Sequence, residues 1–188
     1  SDLQATVILF LPAPTVTLQN VADVEIYGLE LESEWFVTDS FTVNFSGAWT
    51  EASYKKIYPF ASDNGAGITL DSDLAGTPEL SFALSGDYYY QLASNIGLNL
   101  SVSYSYIGEQ RSFLQDPGAI DLDSYGLWGA RAQFDFGDDF SLAIFGTNLT
   151  DEVYLLGGQD YAGGATAGHL ELNVGRGRAY GIEGKFTF

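Results

Sequence analysis

The sequence predicts an all-β protein, a portion of an antiparallel up-and-down transmembrane β-barrel with about eight long strands. Three observations carry this: apolar and polar residues alternate strictly, the alternating segments outrun ordinary strands, and tight turns alternate with long loops. From Ile96 the even positions read Ile, Leu, Leu, Val, Tyr, Tyr, and the odd positions between them read Gly, Asn, Ser, Ser, Ser. A strand sends these sets to opposite faces, so one face is apolar and the other small or polar. Leu80, Phe82, Leu84, Tyr88 and Tyr90 repeat the pattern, as do Phe41, Val43, Phe45 and Trp49, and Tyr27, Leu29, Leu31 and Trp35. A helical period fits none of them.

In chain order the pattern predicts strands at 3–11, 22–36, 40–56, 79–92, 95–111, 123–137, 139–150 and 175–188. Several reach about 13 to 17 residues, against roughly 5 to 6 for the strands of soluble proteins. Val37–Ser40, Gln91–Asn95 and Gly137–Asp139 read as tight turns. Between them fall long loops at 57–78, 112–122 and 151–174, and a shorter one at Pro12–Asn20. The long loops are expected at one end of the sheet and the turns at the other, as in barrels with short periplasmic turns and long extracellular loops.

Composition narrows the alternatives. The 188 residues are 46% hydrophobic and 15% aromatic, which excludes a disordered chain. Acidic residues outnumber basic ones 25 to 7, for a net charge of −18, so nucleic acid is not an expected partner. There is no cysteine, hence no disulfide scaffold or thiolate metal site, and no apolar run long enough for a membrane helix. A β-sandwich would bury the apolar face against a second sheet, a lipocalin-like barrel would turn it inward, and a membrane barrel would turn it to lipid. Strand length favours the last. So do two aromatic rows. Trp35, Phe41, Tyr88, Tyr90, Phe134, Phe136, Phe140, Phe186 and Phe188 gather beside the turns, and Tyr27, Trp49, Tyr104, Tyr106 and Tyr180 toward the loops. Ten steps of about 3.3 Å from Ile96 to Tyr106, tilted near 45°, cross roughly 23 Å, close to the apolar band of about 25 Å in such barrels.

Residues for catalysis are sparse, and no enzymatic activity or cofactor is expected. His169, the one histidine, lies among glycines in the last long loop, with nothing to order a Ser/His/Asp set around it. Asp71-Ser72-Asp73 begins like a calcium loop, but Ala75 and Phe82 stand where ligands should be. Gly175, Gly177 and Gly181 follow no strand-then-helix pattern, and the sequons at Asn44, Asn99 and Asn148 fall in or at the ends of strands. The strand charges say more. Glu30, Glu32, Glu34, Asp87, Arg131, Asp135, Glu183 and Lys185 all take the polar parity, which should therefore face a wet or filled lumen.

Several motifs in order resemble a known family. They are Asn20-Val21-Ala22 leading to Gly28-Leu29-Glu30-Leu31-Glu32, then Leu74-Ala75-Gly76-Thr77-Pro78, then Tyr104-Ser105-Tyr106. The strongest is Gly146-Thr147-Asn148-Leu149-Thr150-Asp151-Glu152-Val153-Tyr154, followed by Gly175-Arg176-Gly177-Arg178-Ala179-Tyr180-Gly181 and the closing Phe186-Thr187-Phe188. Together they resemble the C-terminal barrel region of TonB-dependent outer-membrane receptors. Asn148, Leu149, Asp151, Tyr154, Arg178, Tyr180, Gly181 and Phe188 carry the likeness.

The resemblance implies residues 1–188 of a bacterial outer-membrane receptor whose 22-stranded barrel holds a plug. Such a receptor takes up a scarce solute, most often a ferric siderophore, with energy from the TonB complex acting on the plug. Outer-membrane lipid, lipopolysaccharide and the barrel-assembly machinery, which reads the C-terminal strand, are the further implied partners. Eight strands from that barrel would form an open curved sheet with strands 3–11 and 175–188 as its edges. The rival is a complete eight-stranded barrel with a structural or adhesin role. Contacts to a small-molecule chelate are expected from loop residues near the lumen mouth: Tyr58, Phe60, Arg111, Phe113, Tyr161 and His169, since aromatics and cations suit a bulky anionic chelate.

Overall fold

The computed structural model describes residues 2–9, 15–58, 68–112, 119–160 and 168–187, and every regular element among them is a strand. The chain opens with β1 (Asp2–Leu9), β2 (Thr15–Thr38), β3 (Phe41–Ile57), β4 (Leu80–Ala93) and β5 (Ile96–Ile107). A short β6 (Gln110–Arg111) and β7 (Asp121–Leu122) precede β8 (Tyr125–Phe136) and β9 (Phe140–Thr147). Last come β10 (Leu155–Asp160), β11 (Leu170–Val174) and β12 (Ala179–Phe186). Eight of these form one antiparallel sheet in the order β1-β2-β3-β4-β5-β8-β9-β12. β6–β7 and β10–β11 are separate two-stranded hairpins. No ladder joins β1 to β12 among the described residues, so the sheet is open.

Register turns the sequence alternation into two chemically distinct faces. Phe41, Tyr88, Leu100, Ala132, Ile144 and Ile182 oppose one another across β3, β4, β5, β8, β9 and β12. One residue along, Thr42, Asp87, Ser101 and Arg131 form the matching polar row. A one-residue slip of any strand would carry its charges onto the apolar face, which is what fixes the register. Among the described residues no second sheet covers that face: Leu29 is 74% and Ile182 76% exposed. So continuous an apolar surface belongs in hydrocarbon, not water. A sandwich is excluded.

The two ends differ as the sequence predicts. Tight turns join β2 to β3, β4 to β5 and β8 to β9, and backbone bonds tie neighbouring hairpins together at this end, Tyr89 N–H to Ser40 O and Gly137 N–H to Asn95 O, both 2.8 Å. The three long connections leave from the other end, because antiparallel neighbours alternate direction. Aromatic contacts mark both levels. Phe41–Tyr88 (6.5 Å) and Phe136–Phe140 (5.6 Å) lie by the turns. Nearer the loops, Tyr27–Trp49 (6.2 Å), Phe82–Tyr106 (5.4 Å) and Tyr104–Trp128 (4.7 Å) form the second belt.

Several boundaries correct the sequence reading. Residues 15–20, read as loop after Pro12, are strand: Thr15 to Asn20 pair with Leu9 to Gln4, so β2 runs 24 residues. The predicted strand 95–111 stops at Ile107. There Gly108 donates to Leu80 O (2.8 Å), and Gln110–Arg111 turns away to pair with Asp121–Leu122. The predicted strand 139–150 stops at Thr147, before Asn148 takes a left-handed conformation with φ 49°. The loop 151–174 contains the β10–β11 hairpin, and the last strand starts at Ala179 rather than 175.

The buried core is small and sits at the loop end, where β1–β3 rise past β4. Val21, Ala22, Val24 and Tyr54 pack with Ile68 and Leu74, which the segment after β3 brings back onto the sheet. Mid-sheet, both faces are left for other material, which is how a barrel wall differs from a globular domain.

Candidate functional site

At the loop end a cavity of about 600 Å³ opens between sheet and loops. Thr50, Ala52, Leu80 and Tyr106 form its wall, the segment Asp73–Glu79 one side, and Gly108–Arg111 with Asp121–Asp123 the other. Its lining is polar, with Glu51, Asp73, Glu79, Glu109, Asp121 and Asp123 around Arg111, the single cation among the described lining residues. Arg111 is placed by its backbone, which pairs with Ala75 and with Asp121, and its guanidinium lies 3.9 Å from the Asp121 carboxylate. Tyr54 stands two residues beyond Ala52 on β3. Burial pushes its hydroxyl pKa up, while the positive charge of Arg111 acts the other way.

Of the six residues expected at the mouth, Phe60, Phe113 and Tyr161 lie outside the described residues. Tyr58, Arg111 and His169 come from three different places: just after β3, on β6 and just before β11. Tyr58 is tied to β2. Its N–H donates to Val21 O (3.0 Å), its hydroxyl to the Asp23 carboxylate (3.1 Å), and Lys56 sits 4.6 Å above its ring. Donating to Asp23 keeps the Tyr58 pKa above its ordinary value. His169 is exposed. Among these three, Arg111 lines the cavity. The carboxylates surrounding it escaped the sequence reading because they come from four separate segments, and only the register brings them together.

The polar face carries its own network. Asp87 accepts from Asn44 Nδ2 (3.3 Å) and Ser101 Oγ (2.5 Å), linking β3, β4 and β5. Asp135 accepts from Asn99 Nδ2 (2.5 Å) and Gln133 Nε2 (2.8 Å). Arg131 reaches Glu183 across β9 (3.0 Å), over the small side chain of Ala143. Phe145 is a large apolar residue that the alternation did not flag on this face. Arg131 lies 5.8 Å from its ring, and the ring covers Gly181. Glu30, Glu32 and Glu34 face Ala48, Ser46 and Asn44, and no ion pair reaches them among the described residues. No group of three or more His, Asp or Glu side chains among the described residues could hold a metal ion.

The motif residues build a clasp between the end of β9 and the start of β12. Asn148 is buried, and its Nδ2 donates to Glu152 O (2.9 Å) and Arg176 O (3.1 Å) while its Oδ1 accepts from Glu152 N–H (2.8 Å). Asp151 accepts from Arg178 N–H (3.1 Å) and pairs with its guanidinium (3.4 Å). Leu149 N–H donates to Trp128 O (3.0 Å), fastening the clasp to β8. Tyr154 stacks on Tyr125 at 4.3 Å and lies against Gly175, where a Cβ would collide with the ring. Tyr180 covers Gly146 on the apolar face. The clasp thus explains the spacing of the two motifs by structure alone. Phe188 is outside the described residues.

Comparison with known proteins agrees with this architecture. Three solved structures superpose on most of the chain. One is the ferric yersiniabactin uptake receptor FyuA from Yersinia pestis (TM-score 0.75, 14% identity, 92% of this chain, 25% of that one). Another is the ferric-catecholate import receptor Fiu from K12 E. coli (TM-score 0.66, 19% identity, 92% of this chain, 22% of that one). The third is BauA, the ferric preacinetobactin receptor from Acinetobacter baumannii (TM-score 0.63, 13% identity, 96% of this chain, 25% of that one). At these identities the likeness is one of fold. The chain spans about a quarter of the length of the structures it matches. Residues 4–149 match the family described as TonB dependent receptor-like, beta-barrel. With that match over most of its length, the chain belongs to the TonB-dependent receptor β-barrel family, and its long strands are part of the wall of a bacterial outer-membrane barrel.

Proposed function

We propose that the intact protein is an outer-membrane receptor that captures a ferric siderophore at the cell surface and imports it with energy from the TonB complex. The observation that carries the reading is the pairing of a lipid-facing barrel wall with a polar cavity at its loop end, in a chain of this family. The solved relatives, by name, are receptors for ferric yersiniabactin, ferric catecholates and ferric preacinetobactin. Barrel, loops and cavity then hold distinct tasks. The wall spans the membrane, the loops recognise, and the lumen passes the solute. Tyr58, Phe60, Arg111, Phe113, Tyr161 and His169 are the proposed ligand contacts, with Arg111 favoured by its place in the cavity lining. TonB would engage through a plug in the lumen, lipid and lipopolysaccharide would surround the wall, and the barrel-assembly machinery would read the C-terminal strand.

The test is uptake of iron-55 complexes by iron-starved cells carrying the intact receptor or one lacking residues 68–79 and 109–123. Loss of uptake in the deletion strain, with the barrel still in the outer membrane, supports the reading. Undiminished uptake of every ferric chelate that the parent strain uses refutes it.

A further inference from the structure

We propose that the ligand of the loop-end cavity is an extended, positively charged peptide, bound as a strand added to the open edge of β3. Strand β3 runs on to Ile57, but its ladder with β4 ends where Trp49 faces Leu80, after which Thr50 N–H donates to Glu79 O (2.8 Å). The chain enters β4 through Pro78, which has no N–H to give to a ladder. Main-chain groups point alternately to the two sides of a strand, so Ala52 and Tyr54 present theirs on the side that Thr50 uses. Among the described residues no strand pairs with that side beyond Thr50, and no other backbone bond closes it. Thr50, Glu51 and Ala52 line the cavity, so the open edge gives onto it.

An edge that faces open water is satisfied by it, but this one is partly withdrawn from solvent. Tyr54 is 3% exposed, and its hydroxyl too has no hydrogen-bond partner among the described residues. Buried N–H and C=O groups need partners, and a peptide backbone supplies both kinds at the spacing of a strand. The cavity's volume of about 600 Å³ suits a few residues rather than a folded partner. Its lining sets the ligand's charge. The carboxylates of Glu51, Asp73, Glu79, Glu109, Asp121 and Asp123 surround Arg111, whose guanidinium already lies 3.9 Å from Asp121. Basic side chains are attracted there, and an anionic ligand is repelled. The inference rests on the cavity being the receptor's capture site, and it narrows the ferric siderophore proposed above to a peptidic one with basic residues.

The test is the binding of labelled, iron-free peptides to the intact receptor in detergent, followed by fluorescence anisotropy. The probes are a capped peptide of alternating lysine and valine, its glutamate counterpart, and two N-methylated forms of the lysine peptide, one blocked along each edge. An added strand uses one edge only, so one methylated form should bind about tenfold or more weaker than the parent peptide while the other is retained. The glutamate peptide should not bind. Ala52→Pro removes a donor from the β3 edge, where proline is tolerated, and should weaken the lysine peptide to a similar degree, whereas Ala52→Gly should not. Failure of the lysine peptide to bind, equal weakening by both methylations, or equal binding of the glutamate peptide would overturn the proposal. The peptide series uses the parent protein, so it decides even if the proline variant does not assemble. Because the probes carry no iron, a receptor that imports ferric chelates and ignores them refutes strand addition alone, and one that binds them and imports no ferric chelate refutes the transport reading alone.

Discussion

Asn148 holds a left-handed backbone that most residues avoid, and it does so while satisfying three backbone groups from two segments. Alanine there would lose every one of those bonds and add backbone strain, so Asn148→Ala should cost about 3 kcal/mol. Glycine would relieve the strain and not the bonds, recovering about 1 kcal/mol of it. Heat-modifiability of the intact barrel on gels, or its urea midpoint, would measure both. Asp151→Asn keeps an acceptor for the Arg178 N–H and loses only a half-exposed ion pair, so a change below about 1 kcal/mol is expected. Tyr58 gives a pH test. Its folded pKa lies above the ordinary 10.0 because the neutral hydroxyl donates to Asp23. Its contribution is complete below about pH 10 and is lost as pH rises through the folded value. Tyr58→Phe should flatten that alkaline decline in an unfolding titration, and an unchanged decline would exclude the Asp23 bond as its source.

At the scale of the strand, parity decides cost. Leu100 and Ser101 are neighbours on β5, one in the apolar row and the other bonded to Asp87. Leu100→Arg should destabilise the intact barrel in bilayers by about 2 to 4 kcal/mol, and Ser101→Arg by much less. Equal effects would contradict the assignment of faces. The same parity made most of the wall legible in the sequence. Strands β3, β4, β5, β8 and β9 follow from residues that report only their own face, and their turns from local chemistry. What stayed hidden depended on distant partners. Thr15–Asn20 is strand because β1 pairs with it, despite a preceding proline-rich stretch. Strand β12 starts at Ala179 because Arg176 and Arg178 are held in the clasp of Asn148 and Asp151. The cavity was illegible for the same reason, since its lining is assembled from four segments that meet only in the fold. The motif residues were visible, and their role as a clasp was not, because hydrogen-bond partners 28 residues apart leave no periodic trace.

For the whole molecule, an open sheet with β1 and β12 as edges exposes unpaired backbone groups on both sides of a largely apolar wall. Residues 1–188 produced alone should therefore require detergent and sediment as large assemblies without it. A monodisperse monomer in plain buffer would contradict the open, lipid-facing arrangement. The length of β2 carries one more consequence. Its 24 residues have a contour of roughly 80 Å at about 3.3 Å each, and a tilted strand needs only about 9 to 11 residues to cross the bilayer. Thr15–Asn20, paired with β1 and lying past the last β3 partner at Ala22, then stands well clear of the membrane as a two-stranded mast. With the loop end at the cell surface, that mast would lie within reach of an antibody or a bacteriophage approaching the living cell. Serum raised against these residues should stain intact bacteria without permeabilisation, and a protease added from outside should cut there before it touches the wall.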